Sequence, residues 1–215
     1  MTATELFAEI YDRLYSDYGE CVCPLEHASP FQLLAAVMLS AQCRDERVNL
    51  VTRELFRVAP DADSMAALPE KEIEKIIHPC GLSGAKSRNL QAAARMIVAE
   101  FAGRVPETME ELIRLPGIGR KSANVLLGNA FGKPGFPVDT HVQRVLRRLG
   151  AATGTTPEAI EREVNAVVPP ERWCNFSHLL IQHGRKVCDA RRPRCSECAL
   201  KKICARNGLE RKNGA

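Results

Sequence analysis

Apolar residues along this chain recur at helical spacing, and no stretch alternates apolar and polar residues as a half-buried strand would. The first segment sets the pattern, with Leu6, Phe7, Ile10 and Leu14 on one helical face. Periodicity and turn signals predict further helices over residues 46–57, 70–77, 85–101, 109–114, 121–130, 140–149, 157–167 and 171–183. The expected fold is therefore all-α, with about ten helices joined by short loops.

One predicted helix is apolar on nearly every face. Ser29-Pro30 combines an N-cap residue with a proline at the first helical position, and the run Phe31–Leu39 that follows is apolar apart from Gln32. Such a helix has no face suited to solvent, so we expect it at the centre of a core. The strongest break in the chain comes much later, at Pro134-Gly135-Phe136-Pro137.

The composition is that of an ordinary globular protein. Charged residues make up 26% and apolar residues 45% of the chain. No run approaches the roughly 18 apolar residues that a membrane span needs. The stretch Met1–Ile10 begins an amphipathic helix and contains acidic residues, which argues against a secretory signal. We therefore expect a cytoplasmic protein.

Charge is unevenly distributed along the chain. From Arg185 onward, ten Lys and Arg residues stand against three acidic residues, which gives +7 in this segment and leaves −3 for residues 1–184. A basic segment on a slightly acidic body suggests a polyanionic partner such as nucleic acid. A solubilising tail would have the same composition, so charge alone leaves both interpretations open.

The stretch Leu115-Pro-Gly-Ile-Gly-Arg-Lys-Ser122 lies between two predicted helices. We expect Gly117 and Gly119 to adopt positive φ and to allow another chain to approach closely. The free N–H groups of the following helix would suit a phosphate. This helix-hairpin-helix pattern predicts a contact with the DNA backbone that reads no base. A tight corner with Leu115 and Ile118 in the core is the alternative, and the two interpretations are compatible.

Lys121 and Asp139 are the candidate catalytic residues. The positive end of a helix and the neighbouring Arg120 both disfavour a charged lysine, so Lys121 would be a better nucleophile than a solvated amine if it points inward. A surface lysine or a phosphate contact is the alternative. Asp139 could accept a proton from an activated lysine, or it could simply cap the next helix. Sequence spacing does not decide whether the two residues meet.

The chain contains nine cysteines, an odd number that argues against a disulfide framework in a reducing compartment. Four of them form a cluster that indicates a metal centre: Cys188, Cys195, Cys198 and Cys204. A zinc ribbon has two Cys-x-x-Cys pairs and this cluster has one, so spacing alone leaves zinc and iron–sulfur open.

Three motifs together resemble the endonuclease III family. They are Leu115–Asn124, Val138–His141 and the Cys-x6-Cys-x2-Cys-x5-Cys spacing of the cluster, in this order. Members of the family are DNA glycosylases with AP-lyase activity, in the helix-hairpin-helix superfamily. The resemblance implies a base-excision-repair enzyme that removes oxidised pyrimidines and nicks the abasic site by β-elimination.

The resemblance also implies roles for single residues. Lys121 aligns with the family's nucleophile, whose amine attacks C1′ of a flipped nucleoside and forms a Schiff base, and Asp139 aligns with its catalytic aspartate. Related adenine glycosylases lack this lysine, and some mismatch-specific thymine/uracil glycosylases carry tyrosine there. The four cysteines match the family's motif for a [4Fe–4S] cluster. The loop that such a cluster fixes would present three arginines to phosphates: Arg191, Arg192 and Arg194.

Two other segments match the family. Leu39-Ser-Ala-Gln42 resembles the segment whose glutamine fills the hole left by the flipped nucleotide, and Gly81-Leu82 matches the loop whose leucine wedges into the duplex. Without the resemblance, Gln42 would be a helix-terminal polar residue and Leu82 a core residue. The pair Ser83-Gly84 departs from the bulkier residues common after that leucine, and the sequence assigns no role to Cys43.

The expected organisation is two helical lobes with a DNA-binding groove between them. Residues 23–133 would form a six-helix domain with the hairpin, and residues 1–22 with 134–215 would form the cluster domain. The expected partner is double-stranded DNA with a damaged base or abasic site, bound by a monomer that acts at the bacterial nucleoid and not at a membrane. The expected DNA contacts are Gln42, Leu82, Leu115, Gly117, Gly119, Arg120, Arg191, Arg192 and Arg194.

Two rival interpretations make different predictions. A non-catalytic, metal-stabilised DNA-binding module would bind DNA without cutting it. A glycosylase of the same fold for mismatched uracil or thymine would keep the chemistry but would act poorly on oxidised pyrimidines.

Overall fold

The computed structural model describes residues 1–209, and within them the chain is helical with no β-strand. This confirms the predicted all-α fold. Three short 3₁₀ helices, at His78–Cys80, Pro170–Arg172 and Cys195–Glu197, accompany the α-helices. The described α-helices are α1 (Ala3–Tyr18), α2 (Pro30–Leu39), α3 (Asp45–Val58), α4 (Ala62–Ala67), α5 (Glu70–Ile77), α6 (Ser83–Phe101), α7 (Met109–Leu112), α8 (Arg120–Phe131), α9 (Thr140–Leu149), α10 (Pro157–Asn165) and α11 (Trp173–Lys186).

Local cap signals explain where several helices begin. The Ser29 hydroxyl accepts a hydrogen bond from the Gln32 N–H at 3.2 Å, with Pro30 as the first residue of α2. The Thr156 hydroxyl accepts from the Ala159 N–H in the same way at the start of α10. These side chains satisfy N–H groups that have no partner inside the helix, and Thr156-Pro157 repeats in sequence the cap-plus-proline pair Ser29-Pro30.

Two differences from the predicted helices concern α4 and the start of α6. Helix α4 was not predicted, because six residues are too few to show a helical period. It is held instead by a reciprocal cap, in which Asp61 accepts from the Ser64 N–H at 2.9 Å and the Ser64 hydroxyl accepts from the Asp61 N–H at 3.2 Å. Helix α6 also begins two residues before its predicted start at residue 85, since Ser83 and Gly84 belong to its first turn.

Close contacts divide the chain into two compact units, and residues 23–135 form one of them. Its centre is α2, whose residues Phe31 and 33–39 are all buried. Helices α3, α6 and α8 pack around α2, while α4 and α5 pack on α6. The prediction that the apolar run forms a buried central helix is confirmed for this unit.

The other unit combines residues 1–22 with residues 136–209 of the described chain. Helices α1 and α9 both pack on α11, and Phe176 of α11 is fully buried. Its ring lies 6.2 Å from the Phe7 ring at 84° and 5.9 Å from the Phe136 ring, distances at which aromatic pairs attract. The basic residues Arg211 and Lys212 of the predicted positive segment lie outside the described residues. None of the helices in residues 1–209 is long and apolar enough to cross a membrane.

The turn between α7 and α8 depends on glycine at one position. Gly117 has φ +83°, and a Cβ atom there would lie 2.9 Å from Met38 Cε and 3.1 Å from Asn89 Cβ. Both the backbone conformation and the close packing on α2 and α6 therefore exclude a side chain. Gly119 is different, because its φ is −99° and a Cβ atom would meet nothing within 4 Å. The expectation of positive φ is thus confirmed for Gly117 and wrong for Gly119.

We expect Gly117→Ala to lower the free energy of unfolding by about 1–3 kcal/mol, since it adds a left-handed strain and a steric clash. Gly119→Ser is the matched control. Serine is a good N-cap residue and finds open space there, so the free energy of unfolding should stay the same or rise by up to about 1 kcal/mol. Urea unfolding followed by circular dichroism measures both; equal losses in the two variants would contradict the assignment.

Candidate active site and nucleic-acid interface

The hairpin turn packs on the core through two apolar side chains, and the helix that follows it begins without a side-chain cap. Leu115 and Ile118 are 1% and 5% exposed and pack in the core of the 23–135 unit. The Ile118 N–H donates to the Leu115 carbonyl at 3.0 Å, which closes the turn. Gly119, the N-cap of α8, provides no side chain to cap the first N–H groups of the helix. The core-corner interpretation is therefore correct, and the start of α8 still has the features of an anion site.

Lys121 lies in the first turn of α8, with its side chain exposed. Arg120 precedes it and is also exposed. Burial raises the pKa of the Cys23 thiol, and the positive charge of Lys121 acts in the opposite direction. The Lys121 charge is therefore close enough to act on the Cys23 thiol, which belongs to the same unit.

Asp139 is the N-cap of α9, in the unit that contains the cysteine cluster. Its Oδ1 accepts hydrogen bonds from the N–H groups of His141 and Val142, both at 2.8 Å. The capping interpretation is therefore correct. It does not exclude a catalytic role, because the cap uses one carboxylate oxygen and leaves Oδ2 outside it. The same two bonds fix the orientation of the carboxylate.

Gln42 and Leu82 share an unusual backbone conformation in the 23–135 unit. Their φ angles are +55° and +52°, the left-handed region that non-glycine residues rarely occupy. Leu82 is 59% exposed, so its interpretation as a core residue is wrong. Gln42 is exposed as well. Strained backbone with an outward side chain is typical of functional positions, and here the left-handed turns direct both side chains away from the core.

Cys43, to which the sequence assigned no role, packs against the same core as Cys80. Burial first, and then the neighbouring Cys43 thiol, raises the pKa of Cys80 to about 11. Both cysteines are free thiols. Cys43 follows Gln42 by one position and Cys80 precedes Leu82 by two, so the thiol contact joins the Gln42 and Leu82 segments.

The four clustered cysteines line one cavity of their unit, together with apolar residues, His183 and two arginines. Burial raises the pKa values of Cys198 and Cys204, and the other thiols of the cluster raise them further. Among residues 1–209, no group of three His, Cys, Asp or Glu side chains is arranged to hold a metal ion as it stands. The donor set is nevertheless four thiols around a shared space with no carboxylate, which fits the chemistry of an iron–sulfur cluster.

Polar groups lie next to three sulfur atoms of this cavity, those of Cys188, Cys198 and Cys204. The Arg206 N–H donates to Cys204 Sγ at 3.4 Å, and Arg148 Nη1 lies 3.6 Å from Cys188 Sγ. His183 Nε2 lies 3.5 Å from Cys198 Sγ. Hydrogen bonds to sulfur stabilise thiolate ligands and tune a bound centre.

The loop after Cys188 is ordered by its own aspartate and by a residue that sequence reasoning missed. Asp189 Oδ1 accepts from the N–H groups of Arg191 and Arg192 at 2.8 and 2.9 Å. Arg148 donates to the Asp189 and Ala190 carbonyls at 2.6 and 2.7 Å. No sequence signal identified Arg148, because its partners are backbone carbonyls about 40 residues later.

The three arginines of the loop are not equivalent. Arg191 and Arg192 are exposed. The hydrogen bonds that order the loop use their backbone N–H groups and not their guanidinium groups. The Arg194 guanidinium donates to the Lys186 carbonyl and pairs with Glu197 at 3.4 Å. Arg194 is thus engaged within the protein, which makes it a poorer candidate for a phosphate contact than the other two.

A second missed residue is Lys86, which is only 7% exposed. Here the sequence does carry a signal. Lys86 precedes Leu90, Ala94 and Ile97 at helical spacing, so it occupies an apolar position on the buried face of α6. A lysine at such a position needs internal hydrogen-bond acceptors.

Four features agree with the resemblance to helix-hairpin-helix DNA-repair proteins that the sequence motifs carry: the all-α fold, the glycine hairpin, the exposed lysine at the start of the second hairpin helix and the four-cysteine cavity. Comparison with known proteins agrees. Residues 35–170 match the HhH-GPD superfamily base excision DNA repair protein family.

Similarity to individual proteins is high. The chain is 50% identical to Endonuclease III of Synechocystis sp. over 188 residues, which cover 87% of this chain and 86% of that one. It superposes with a TM-score of 0.91 on Endonuclease III in a non-covalent DNA complex, at 38% identity and with coverage of 96% and 97% of the two chains. A trapped covalent Endonuclease III–DNA intermediate matches equally well. The chain belongs to the endonuclease III family.

Proposed function

We propose that this protein is a bifunctional DNA glycosylase and AP lyase of base excision repair that removes oxidised pyrimidines from double-stranded DNA. The observation that carries the proposal is Lys121, an exposed amine in the first turn of the helix that follows the glycine hairpin. Membership of the endonuclease III family supports the reaction class. The trapped covalent complex of a structural relative shows that such a fold can become covalently linked to DNA.

The proposed chemistry uses the lysine as a nucleophile and the aspartate as its base. The neutral amine of Lys121 forms a bond to C1′ while the bond from C1′ to the base breaks, and the base leaves with that electron pair and takes up a proton. Asp139 accepts the proton that the amine loses. The bond from C1′ to the ring oxygen O4′ then breaks, O4′ takes up a proton, and the nitrogen lone pair forms a protonated imine with C1′. Loss of a C2′ proton then expels the 3′ phosphate, and water releases the enzyme from the remaining sugar.

The proposed DNA contacts fall into two groups. The uncapped start of α8, with Arg120, and the loop arginines Arg191 and Arg192 would contact phosphates and position the duplex without reading sequence. Gln42 and Leu82 would enter the base stack, since the target C1′ is accessible only after the nucleotide is flipped out. Both have the exposed, outward placement that insertion requires.

We also propose that Cys188, Cys195, Cys198 and Cys204 hold a [4Fe–4S] cluster. Four thiols that line one cavity supply the ligands that such a cluster needs. The cluster would be structural, and it would fix the Asp189–Arg194 loop that Arg148 already orders. A monomeric enzyme in the cytoplasm of a bacterial cell, at the nucleoid, would meet the proposed substrate; bacterial relatives support this placement.

Lys121→Gln should abolish covalent trapping while the fold is retained. The protein is incubated with duplex DNA that carries thymine glycol or an abasic site, and borohydride is added to reduce the imine. The wild type should give an adduct, and Lys121→Gln should reduce adduct and nicked product by at least about 10³-fold, because an amide cannot form an imine. Lys133→Gln, an exposed lysine just beyond the same helix, serves as the control and should behave as wild type.

The outcomes of this experiment separate the rival functions. DNA binding by the wild type with no adduct on either substrate would indicate a non-catalytic binding module and overturn the proposal. A parallel incubation uses duplexes with mismatched uracil or thymine. Adducts with these duplexes but not with thymine glycol would retain the chemistry and overturn the substrate class.

Asp139→Asn and Asp139→Ala should separate capping from catalysis. Asparagine is a good N-cap and keeps an oxygen for the two N–H donors, so its free energy of unfolding should stay within about 0.5 kcal/mol of wild type. Alanine removes the cap and should cost about 1 kcal/mol. Both lose the base and should slow single-turnover base release by about 10²-fold or more. A fully active Asp139→Asn variant would show that Asp139 is only a cap.

The purified protein should be brown, with broad absorption near 400 nm and about four iron and four sulfide per chain. Chelation or acid treatment should remove the absorption and weaken DNA affinity, since the Asp189–Arg194 loop would lose its support. Cys198→Ser should reduce bound iron, whereas Cys174→Ser, outside the cluster, should not. A colourless protein with one zinc would overturn the proposal of an iron–sulfur cluster.

A further inference from the structure

The buried ammonium group of Lys86 joins two segments that are far apart in sequence. Its Nζ donates hydrogen bonds to the Leu39 carbonyl at 2.8 Å and to the Cys80 carbonyl at 2.9 Å. Leu39 is the last residue of α2, and Cys80 is the last residue of the 3₁₀ helix His78–Cys80. Carbonyls at helix ends lack partners within their own helix, so a buried cation is well suited to both.

Each of these carbonyls lies two or three positions before a residue with a left-handed φ angle. Gln42 follows Leu39 by three positions, with φ +55°, and Leu82 follows Cys80 by two positions, with φ +52°. Short turns connect them: the Cys43 N–H donates to the Ser40 carbonyl at 3.0 Å, and the Gly81 N–H donates to the His78 carbonyl at 3.1 Å. Little chain therefore separates the lysine from either exposed side chain, and few free dihedrals remain between them.

Lys86 is itself held firmly. Its backbone N–H donates to the Leu82 carbonyl at 3.0 Å, in the first turn of α6, so the lysine is attached to the Leu82 segment by backbone as well as by side chain. Its neighbours Leu90 and Ala93 on the same helix are fully buried. The Lys86 side chain thus links the end of α2 to the segment that precedes α6. Removing it would leave two buried carbonyls without a donor.

We infer that Lys86 is a positioning residue that holds the Gln42 and Leu82 segments at a fixed separation, so that both side chains enter the duplex together. This inference rests on the proposed function. Insertion on two sides of a flipped nucleotide needs both groups preorganised, because each would otherwise lose conformational freedom on binding. Lys86 touches no substrate in this role, and the chemistry at Lys121 does not involve it.

The test compares Lys86→Met, which keeps the length and apolar stem of the side chain but has no donor, with the control Lys71→Met at an exposed position of α5. The first readout is a duplex with a tetrahydrofuran abasic analogue opposite 2-aminopurine, whose fluorescence rises when the base is unstacked. At saturating protein, the wild type and Lys71→Met should give the full rise. Lys86→Met should give less than half of it, close to the combined variant Gln42→Ala/Leu82→Ala.

The second readout is the rate of borohydride trapping on two abasic substrates. One is fully paired, and the other has three mismatched pairs around the abasic site, where the stack is already open. Lys86→Met should slow trapping at least tenfold on the paired duplex and less than threefold on the mismatched one. A merely destabilised enzyme would lose activity on both. Lys86→Arg, which keeps a charged donor, should recover part of the paired-duplex rate.

Wild-type fluorescence from Lys86→Met, or equal loss on the two trapping substrates, would overturn the inference. If Lys86→Met does not fold, Lys86→Gln, whose shorter amide is uncharged, replaces it and the same split between substrates is expected. If the wild type forms no adduct on either substrate, the proposed function fails. The fluorescence comparison, which needs no chemistry, then decides by itself whether Lys86 positions the two inserting residues.

Discussion

The close approach of the hairpin turn to the buried helix α2 is the constraint on which the proposed nucleophile depends. A Cβ atom at Gly117 would lie 2.9 Å from Met38 of α2 and 3.1 Å from Asn89 of α6. Only glycine lets the turn reach this depth, and Leu115 and Ile118 then fill the core beside it. The direction of α8 follows, and with it the exposed position of Lys121 four residues after Gly117. Packing in the core thus fixes the place of a residue at the surface.

Two carboxylates of this protein stabilise local structure and at the same time orient groups that we propose act on DNA. Asp139 caps α9 through one oxygen, and the two backbone donors orient the carboxylate that we propose as the base. Asp189 orders its loop through the backbone of Arg191 and Arg192, which leaves their guanidinium groups for phosphates. In both cases the backbone hydrogen bonds remove the conformational freedom that substrate binding would otherwise have to restrict.

The two residues proposed to insert into the duplex are also held in place by the protein, but through a buried side chain and not through backbone caps. Left-handed φ angles at Gln42 and Leu82 are unfavourable for side chains of their size, so their neighbours must hold them in place. Lys86 does this with a charge placed between carbonyls at two helix ends, and the Cys43 and Cys80 thiols pack in the core of the same unit. Strain at the surface is therefore balanced by hydrogen bonds in the interior, within one unit of the chain.

The sequence by itself determined the helical class, the hairpin, the cysteine spacing and the family. These are written in local patterns: a helical period, caps at Ser29 and Thr156, and short motifs around Lys121 and Asp139. It missed α4, whose six residues carry a cap but no period, and it assigned positive φ to Gly119, where the helix start needed only an N-cap.

Only the tertiary structure decided which residues act at long range. Arg148 binds carbonyls about 40 residues away and Lys86 binds one 47 positions earlier. Backbone carbonyls are present at every residue, so no local pattern marks which of them a side chain will reach. Leu82 likewise has the apolar side chain of a typical core residue, and only the packing of the helices shows that it is exposed. Contacts between distant segments are set by how the helices pack, which a one-dimensional pattern does not encode.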